Sequence, residues 1–137
     1  MTAKEYLSQA YKMDRRVRLI ELKIEKLRSM LECSSPSLEA AGSGKSADRM
    51  PDTVSKIMEY EQRAAELRSA LIVKYLEIDQ AIRCVTDSTQ REVLERRYLL
   101  FQKWDQIADE MSYTERRVYQ LHGNALKKIS LNFSIDV

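Results

Sequence analysis

Apolar residues recur at alternating spacings of four and three along the first part of the chain. They are Tyr6, Ala10, Met13, Val17, Ile20, Ile24, Leu27 and Leu31, and no glycine or proline interrupts them. This spacing is the heptad seam of a coiled coil. It predicts one continuous helix from about Ala3 to Cys33, which would be roughly 45 Å long.

A second apolar seam follows Pro51 and predicts a second long helix, from a cap near Asp52 to about Val85. Its positions are Ile57, Tyr60, Ala64, Leu67, Leu71, Ile78, Ala81 and Val85, interrupted by Lys74. The intervening residues 34–51 hold both prolines and two of the three glycines, which predicts a flexible linker. Antiparallel pairing is the simplest way to bury both seams, although the linker is long enough to allow a parallel pair.

The second helix is apolar beyond its seam. From Ala70 to Ile78 its only polar residues are Lys74 and Glu77, so one partner helix cannot cover the apolar surface. We expect Ile72, Val73 and Leu76 to meet another subunit, the C-terminal module or an outside protein. A homodimer is the commonest of these outcomes.

Two short helices are predicted near the C-terminus. The first has apolar residues at i, i+3, i+4 and i+7, namely Trp104, Ile107, Ala108 and Met111. The second has Val118, Leu121, Ala125, Leu126 and Ile129. Only three residues separate the helices, and the last of them, Thr114, is a good N-cap. This is the layout of a helix-turn-helix, in which two closely joined helices cross steeply.

A further helix is predicted ahead of this pair. It would begin at Thr89, which forms a capping box with Glu92. The three helices would make a module of residues 87–130 with Trp104 in its core. The sequence therefore predicts an all-α fold: a coiled-coil helical hairpin in 1–86, the helix-turn-helix module in 87–130, and a tail in 131–137.

Positive charge is concentrated on the last helix. The 137-residue chain has a net charge of only +2, whereas residues 114–130 hold four basic residues and one acidic residue. Side chains suited to DNA lie off the apolar stripe. We assign Arg116, Tyr119, Gln120 and Asn124 to the bases, and Arg117, Lys127 and Lys128 to the phosphates. Tyr119 could equally cover the edge of the module.

The run from Thr114 to Leu121, with Ala125 to Ile129, resembles the recognition helix of region four in sigma-70 family transcription factors. Residues 91–98 are similar to the helix that precedes it there. The whole chain resembles a small phage and prophage family of ArpU-type late-transcription regulators from Gram-positive hosts. The resemblance implies that the last helix enters the major groove of double-stranded DNA. Our leading hypothesis is that the hairpin serves for assembly or for docking RNA polymerase.

The chain departs from the sigma pattern at several positions. Glu115, Arg116 and Tyr119 stand where that pattern usually has a basic residue, an acid and an arginine, so the sigma target sequence does not carry over. Ser112 occupies a turn position often filled by glycine, where a left-handed backbone costs energy. Gly123 lies inside the recognition helix, so that helix is softer than its relatives or a neighbour packs closely there.

Composition disfavours other classes of protein. The single histidine, His122, adjoins the apolar stripe, and Cys33 and Cys84 lack metal-ligand spacing, so we expect no enzyme, no metal site, no cofactor and no small-molecule substrate. No apolar run approaches 20 residues, which predicts a cytoplasmic protein without membrane association. The resemblance to the phage family implies that this cytoplasm is that of a bacterial host. The alternatives to a phage-type transcriptional regulator are a helical protein-interaction adaptor without DNA binding and a phage DNA-packaging recognition subunit.

Overall fold

The computed structural model describes residues 1–34 and 45–137 of the chain. Its helices are α1 (Ala3–Leu7), α2 (Gln9–Ser34), α3 (Lys45–Arg83), α4 (Ser88–Leu94), α5 (Trp104–Met111) and α6 (Glu115–Phe133). The described part contains no strand, and the predicted all-α fold, an N-terminal hairpin with a C-terminal helical module, is confirmed. None of the described helices is both long and apolar enough to cross a membrane.

Residues 14–70 form one compact unit, in which α2 pairs with α3. Arg28 forms an ion pair with Glu61, and Arg68 forms one with Glu21. A later residue of α2 thus meets an earlier residue of α3, so the two helices are antiparallel. The buried core of this pair consists of Ile24, Ile57 and Ala64, surrounded by Ile20, Leu27, Leu31 and Tyr60.

The predicted continuous first helix is interrupted at Ser8, between α1 and α2. The Ser8 hydroxyl donates a hydrogen bond of 2.6 Å to the carbonyl oxygen of Lys4. A serine that bonds back to the carbonyl four residues earlier competes with the helical pattern and bends the helix. The apolar spacing did not predict this interruption, because the heptad seam continues unchanged past Ser8.

Helix α3 begins at Lys45, earlier than the predicted start near Asp52. Pro51 therefore lies inside the helix, although it cannot donate to the carbonyl four residues before it. The prediction treated Pro51 as a boundary, and the structure instead carries the helix past it. Residues 35–44 of the predicted linker lie outside the described residues.

The second compact unit combines residues 1–13 with residues 71–137. Its larger core joins Leu7 of α1 and Ile78 of α3 to Ala125 and Ile129 of α6. The N-terminal residues of the chain and the last part of α3 thus both contribute to the core of the C-terminal module. The predicted boundary between residues 86 and 87 does not coincide with the boundaries of the compact units, because these contacts join segments that are distant in sequence.

The helix before the predicted helix-turn-helix has its N-cap two residues earlier than expected. Asp87, not Thr89, is the N-cap of α4, and its carboxylate accepts a hydrogen bond of 2.9 Å from the Gln90 N–H. The predicted Thr89 capping box is therefore wrong, because the helix is already capped by Asp87, whose carboxylate accepts from the Gln90 N–H. After Leu94 the helix widens into a π-helical turn, Glu95–Leu99, a feature with no simple sequence signal.

Helix α6 continues to Phe133, so the predicted tail of residues 131–137 is partly helical. Ser134 then adopts a left-handed backbone, with φ 53°. The last residues turn back towards the N-terminus, where the Ala3 N–H donates to the carbonyl of Asp136 at 2.7 Å. Both ends of the chain are thereby fixed beside the core that contains Leu7.

Candidate nucleic-acid interface

Helices α5 and α6 are joined by the tight turn that the sequence predicts. Ser112 has a left-handed backbone, with φ 57° and ψ 41°. The N–H groups of Ser112 and Tyr113 donate to the carbonyls of Asp109 and Ala108, which is the hydrogen-bond pattern of a Schellman motif. Thr114 then caps α6, because its hydroxyl accepts from the Arg117 N–H at 3.1 Å. The predicted bounds of α5 and the predicted Thr114 cap are both confirmed.

A small apolar cluster holds the two helices against each other. Ile107 and Ala108 of α5 pack with Val118 and Leu121 of α6, and Val93 of α4 completes the cluster. All five are buried. A fixed core under the turn gives the opposite face of α6 a rigid support.

Helix α6 presents the proposed DNA-contacting residues to solvent. Arg116, Gln120, Asn124 and Lys127 are spaced by four, four and three residues, which places them along one face. Thr114, Arg117 and Tyr119 are exposed as well, and Lys128 is half-buried. None of the predicted site residues is occluded by the core.

The basic side chains of this face form no ion pair in the described part of the chain. Within the described residues, no ion pair involves Arg116, Arg117, Lys127 or Lys128. Many other arginines of the chain do form such pairs, Arg96 with both Glu92 and Glu110 among them. The cations of α6 are therefore available to anionic groups outside the chain.

One acidic residue lies near the phosphate-assigned side of α6. A hydrogen bond from the Gln90 N–H holds the pKa of Asp87 below its ordinary value, and the positive charges of Lys128 and Arg117 lower it further. These charges act on Asp87 only because they are close to it. The N-terminus of α4 thus borders the basic face.

An aromatic cluster lies beside this face, and the sequence did not predict that its members are in contact. The Trp104 ring lies 5.0 Å from the Tyr119 ring and 4.6 Å from the His122 ring, measured between centroids. The Arg97 guanidinium carbon lies 4.5 Å from the Trp104 centroid. Trp104 was expected in the core; it packs against the apolar cluster of Ile107 and Val118 but is itself only half-buried.

His122 is buried and hydrogen-bonded. Its Nε2 lies 2.7 Å from the Tyr98 hydroxyl oxygen. Burial is the main cause that lowers the pKa of His122 to about 4, and burial raises the pKa of Tyr98 to about 12. At neutral pH the imidazole is therefore uncharged and the phenol keeps its proton.

Helix α5 is also fixed by Arg96 in the π-helical turn. Its guanidinium donates to Glu92 at 2.8 Å and also reaches Glu110 of α5. A π-helical turn shifts the residues after it around the helix axis, and here it carries both Arg96 and Arg97. Sequence periodicity alone gave neither residue a role.

Gly123 has no close neighbour. Apart from its two chain neighbours and the adjacent backbone of α6, a Cβ atom built at this position would meet no atom of the described structure within 4 Å. The expectation that a neighbour packs closely there is wrong, and the other expectation, a softer helix, stays a prediction.

The predicted partner surface on α3 is exposed. Ile72, Val73 and Leu76 are 57%, 67% and 59% accessible, so no other part of the described chain covers them.

In the described part of the chain, no group of three histidine, cysteine, aspartate or glutamate side chains is placed to hold a metal ion.

Comparison with known proteins adds no relative. No protein-family model, no curated protein and no solved structure matches the chain.

Proposed function

We propose that this chain is a sequence-specific DNA-binding regulator of transcription, of the phage type, acting in the cytoplasm of a bacterial host. The observation that carries the proposal is the face of α6. It combines exposed cations, two exposed amides and an exposed tyrosine directly after a capped, tight turn. Such a helix fits the major groove of double-stranded DNA.

The side chains of this face differ in the part of the DNA that their chemistry lets them bind. The amides of Gln120 and Asn124 can pair bidentately with adenine, and Arg116 can pair with guanine. Arg117, Lys127 and Lys128 supply charge to phosphates, which sets register and affinity but carries no sequence information. Thr114 holds the first turn of α6 in place for both sets.

Selection of bound sites from a random duplex pool tests the proposal. Wild type should enrich a defined sequence. Gln120→Ala should relax the preference at one position, whereas Lys127→Ala should weaken binding to selected and scrambled duplexes alike. Both residues are exposed, so neither change should alter the melting temperature. Equal loss on every duplex in both variants would contradict the assignment, and the absence of any enrichment would favour the adaptor function.

The partner proposed for the apolar surface of α3 is a second copy of the chain. A regulator that reads paired half-sites needs a two-fold axis, and Ile72, Val73 and Leu76 offer a compact apolar centre for one. A stable dimer buries roughly 800 Å² per partner, so neighbouring polar residues must form the rim. Docking of RNA polymerase by the hairpin is a further proposal.

Sedimentation velocity tests the dimer. Val73→Asp should convert a dimer to a monomer, because it places a charge at the centre of the interface. Val54→Asp is a matched control, since Val54 is an exposed valine of the same helix. A monomeric wild type would contradict the proposed dimer, and a ring of eight or more subunits would favour the packaging function.

A further inference from the structure

Within the described part of the chain, Tyr119 is the one proposed base-contacting residue that touches a neighbouring aromatic side chain. The residue is 48% exposed, and its ring centroid lies 5.0 Å from that of Trp104, with an interplanar angle of 50°. An aromatic side chain has only two rotatable bonds, so one ring contact removes much of its freedom. The exposed edge of Tyr119 is therefore held in a limited set of directions.

Trp104 is itself held from two further sides. The His122 ring meets it edge-on at 4.6 Å, and the Arg97 guanidinium lies over the indole at 4.5 Å. Arg97 is fixed in turn, because its Nη1 donates to the carbonyl oxygen of Gln102 at 2.9 Å. The indole thus has contacts that define its orientation as well as its depth.

The contacts of Trp104 lead to a buried, hydrogen-bonded pair of side chains. His122 is hydrogen-bonded at 2.7 Å to the hydroxyl of Tyr98, which lies in the π-helical turn. Both residues are buried, so the pair is shielded from competing water. A continuous set of contacts runs from this pair through Trp104 to the solvent-facing ring of Tyr119.

We infer that Trp104 is a positioning residue, which fixes the ring of Tyr119 on the DNA-facing side of α6 so that Tyr119 contributes to sequence discrimination. The inference rests on the proposed DNA-binding function and deepens it. An apolar aromatic surface at a fixed place on a recognition helix suits contact with the methyl group of thymine, a feature that only thymine presents in the major groove. A freely rotating Tyr119 would lose that discrimination while keeping its contact area.

The first arm of the test needs no DNA. In aromatic NMR spectra of the full chain, Tyr119 ring resonances should be displaced by the ring current of Trp104. Trp104→Leu should move them towards the values of a free tyrosine, and Trp104→Phe should move them less. Ile107→Val is the matched control, because Ile107 belongs to the apolar cluster beside Trp104 and carries no ring. Unchanged Tyr119 resonances in folded Trp104→Leu would overturn the inference.

The second arm measures discrimination. The ratio of dissociation constants for a scrambled duplex and a wild-type-selected duplex should fall about tenfold in Trp104→Leu, the size of one lost base contact. In a Tyr119→Ala background the same substitution should lower the ratio no further. Equal effects in both backgrounds would overturn the inference. A wild type that prefers no duplex would refute the proposed function instead, and the NMR arm would still decide whether Trp104 orients Tyr119.

Discussion

Tyr98 and His122 share a buried hydrogen bond of 2.7 Å that joins the π-helical turn to the middle of α6. It connects the scaffold of the C-terminal module to the helix that carries the proposed DNA-contacting residues. Burial lowers the pKa of His122 to about 4, so the folded chain holds this imidazole in its neutral form at pH values well above 4. The stability of the module should therefore depend on pH.

The expected direction follows from proton linkage. Above pH 6.5 His122 is neutral in both the folded and the unfolded chain, and its contribution to stability is complete. As the pH falls towards 4, His122 becomes protonated in the unfolded chain but stays neutral in the folded chain. The free energy of unfolding therefore decreases. The loss amounts to on the order of 3 kcal/mol at most.

Urea unfolding of wild type and His122→Gln between pH 7 and pH 4 measures this effect. Glutamine does not titrate and can still bond to Tyr98, so the variant should lack the part of the pH dependence that His122 causes. Carboxylate titration affects both proteins alike and cancels in the comparison. Parallel pH profiles for the two proteins would show that His122 is protonated as easily in the folded state as in the unfolded state.

The N-terminal helix should be required for a stable C-terminal module. Leu7 is fully buried in the core that contains Ala125 and Ile129, and Leu7→Ala should cost about 2–5 kcal/mol of unfolding free energy. Leu19→Ala is the matched control, because Leu19 is 55% exposed and its truncation should cost about 0.5 kcal/mol or less. Chemical denaturation followed by circular dichroism checks both, and similar costs would refute the shared core.

The cap of α6 should be worth about 1 kcal/mol. Thr114→Ala removes the hydroxyl that accepts from the Arg117 N–H, leaving that donor to water. Thr114→Ser keeps the hydroxyl and should restore most of the lost stability. Thermal unfolding of the three proteins measures the difference, and an equal loss in both variants would mean that the threonine methyl group, not the cap, matters.

Gly123→Ala should stabilise the protein by roughly 0.5–1 kcal/mol. Gly123 lies inside α6, where alanine restricts the unfolded chain and favours the helix. Apart from its chain neighbours and the adjacent backbone of α6, an added Cβ would meet no described atom within 4 Å, so no clash opposes the gain. Denaturant unfolding gives the change in free energy. A destabilised variant would show that α6 departs from regular helical geometry at this residue.

Local signals in the sequence were sufficient to predict the two helices of the helix-turn-helix and the turn between them. The spacing from Trp104 to Met111 predicted α5 with its observed bounds, and Thr114 was correctly predicted as the cap of α6. Both features depend on residues a few positions apart. The exposed Ile72, Val73 and Leu76 were likewise predictable, because the apolar surface of α3 is wider than one partner helix can cover.

Features that depend on distant contacts were not predictable in the same way. Leu7 appeared as one more apolar residue of the first helix, and nothing near it in sequence shows that it packs with Ile129. Trp104 was assigned to the core because indoles usually lie there, whereas its place beside Tyr119 depends on how α5 and α6 cross. The bend at Ser8 and the cap at Asp87 arise from single hydrogen bonds that compete with equally reasonable alternatives.

The most direct test of the account is the salt dependence of DNA binding, measured by fluorescence anisotropy with full-length protein and a random duplex. We expect affinity to fall steeply as salt rises, because bound phosphates release counterions. Arg117→Ala should reduce the slope of log affinity against log salt by about one, whereas Arg16→Ala, an exposed arginine of α2, should leave it unchanged. Absence of binding at low salt, or equal slopes in the two variants, would contradict the claim that α6 is a DNA-binding surface.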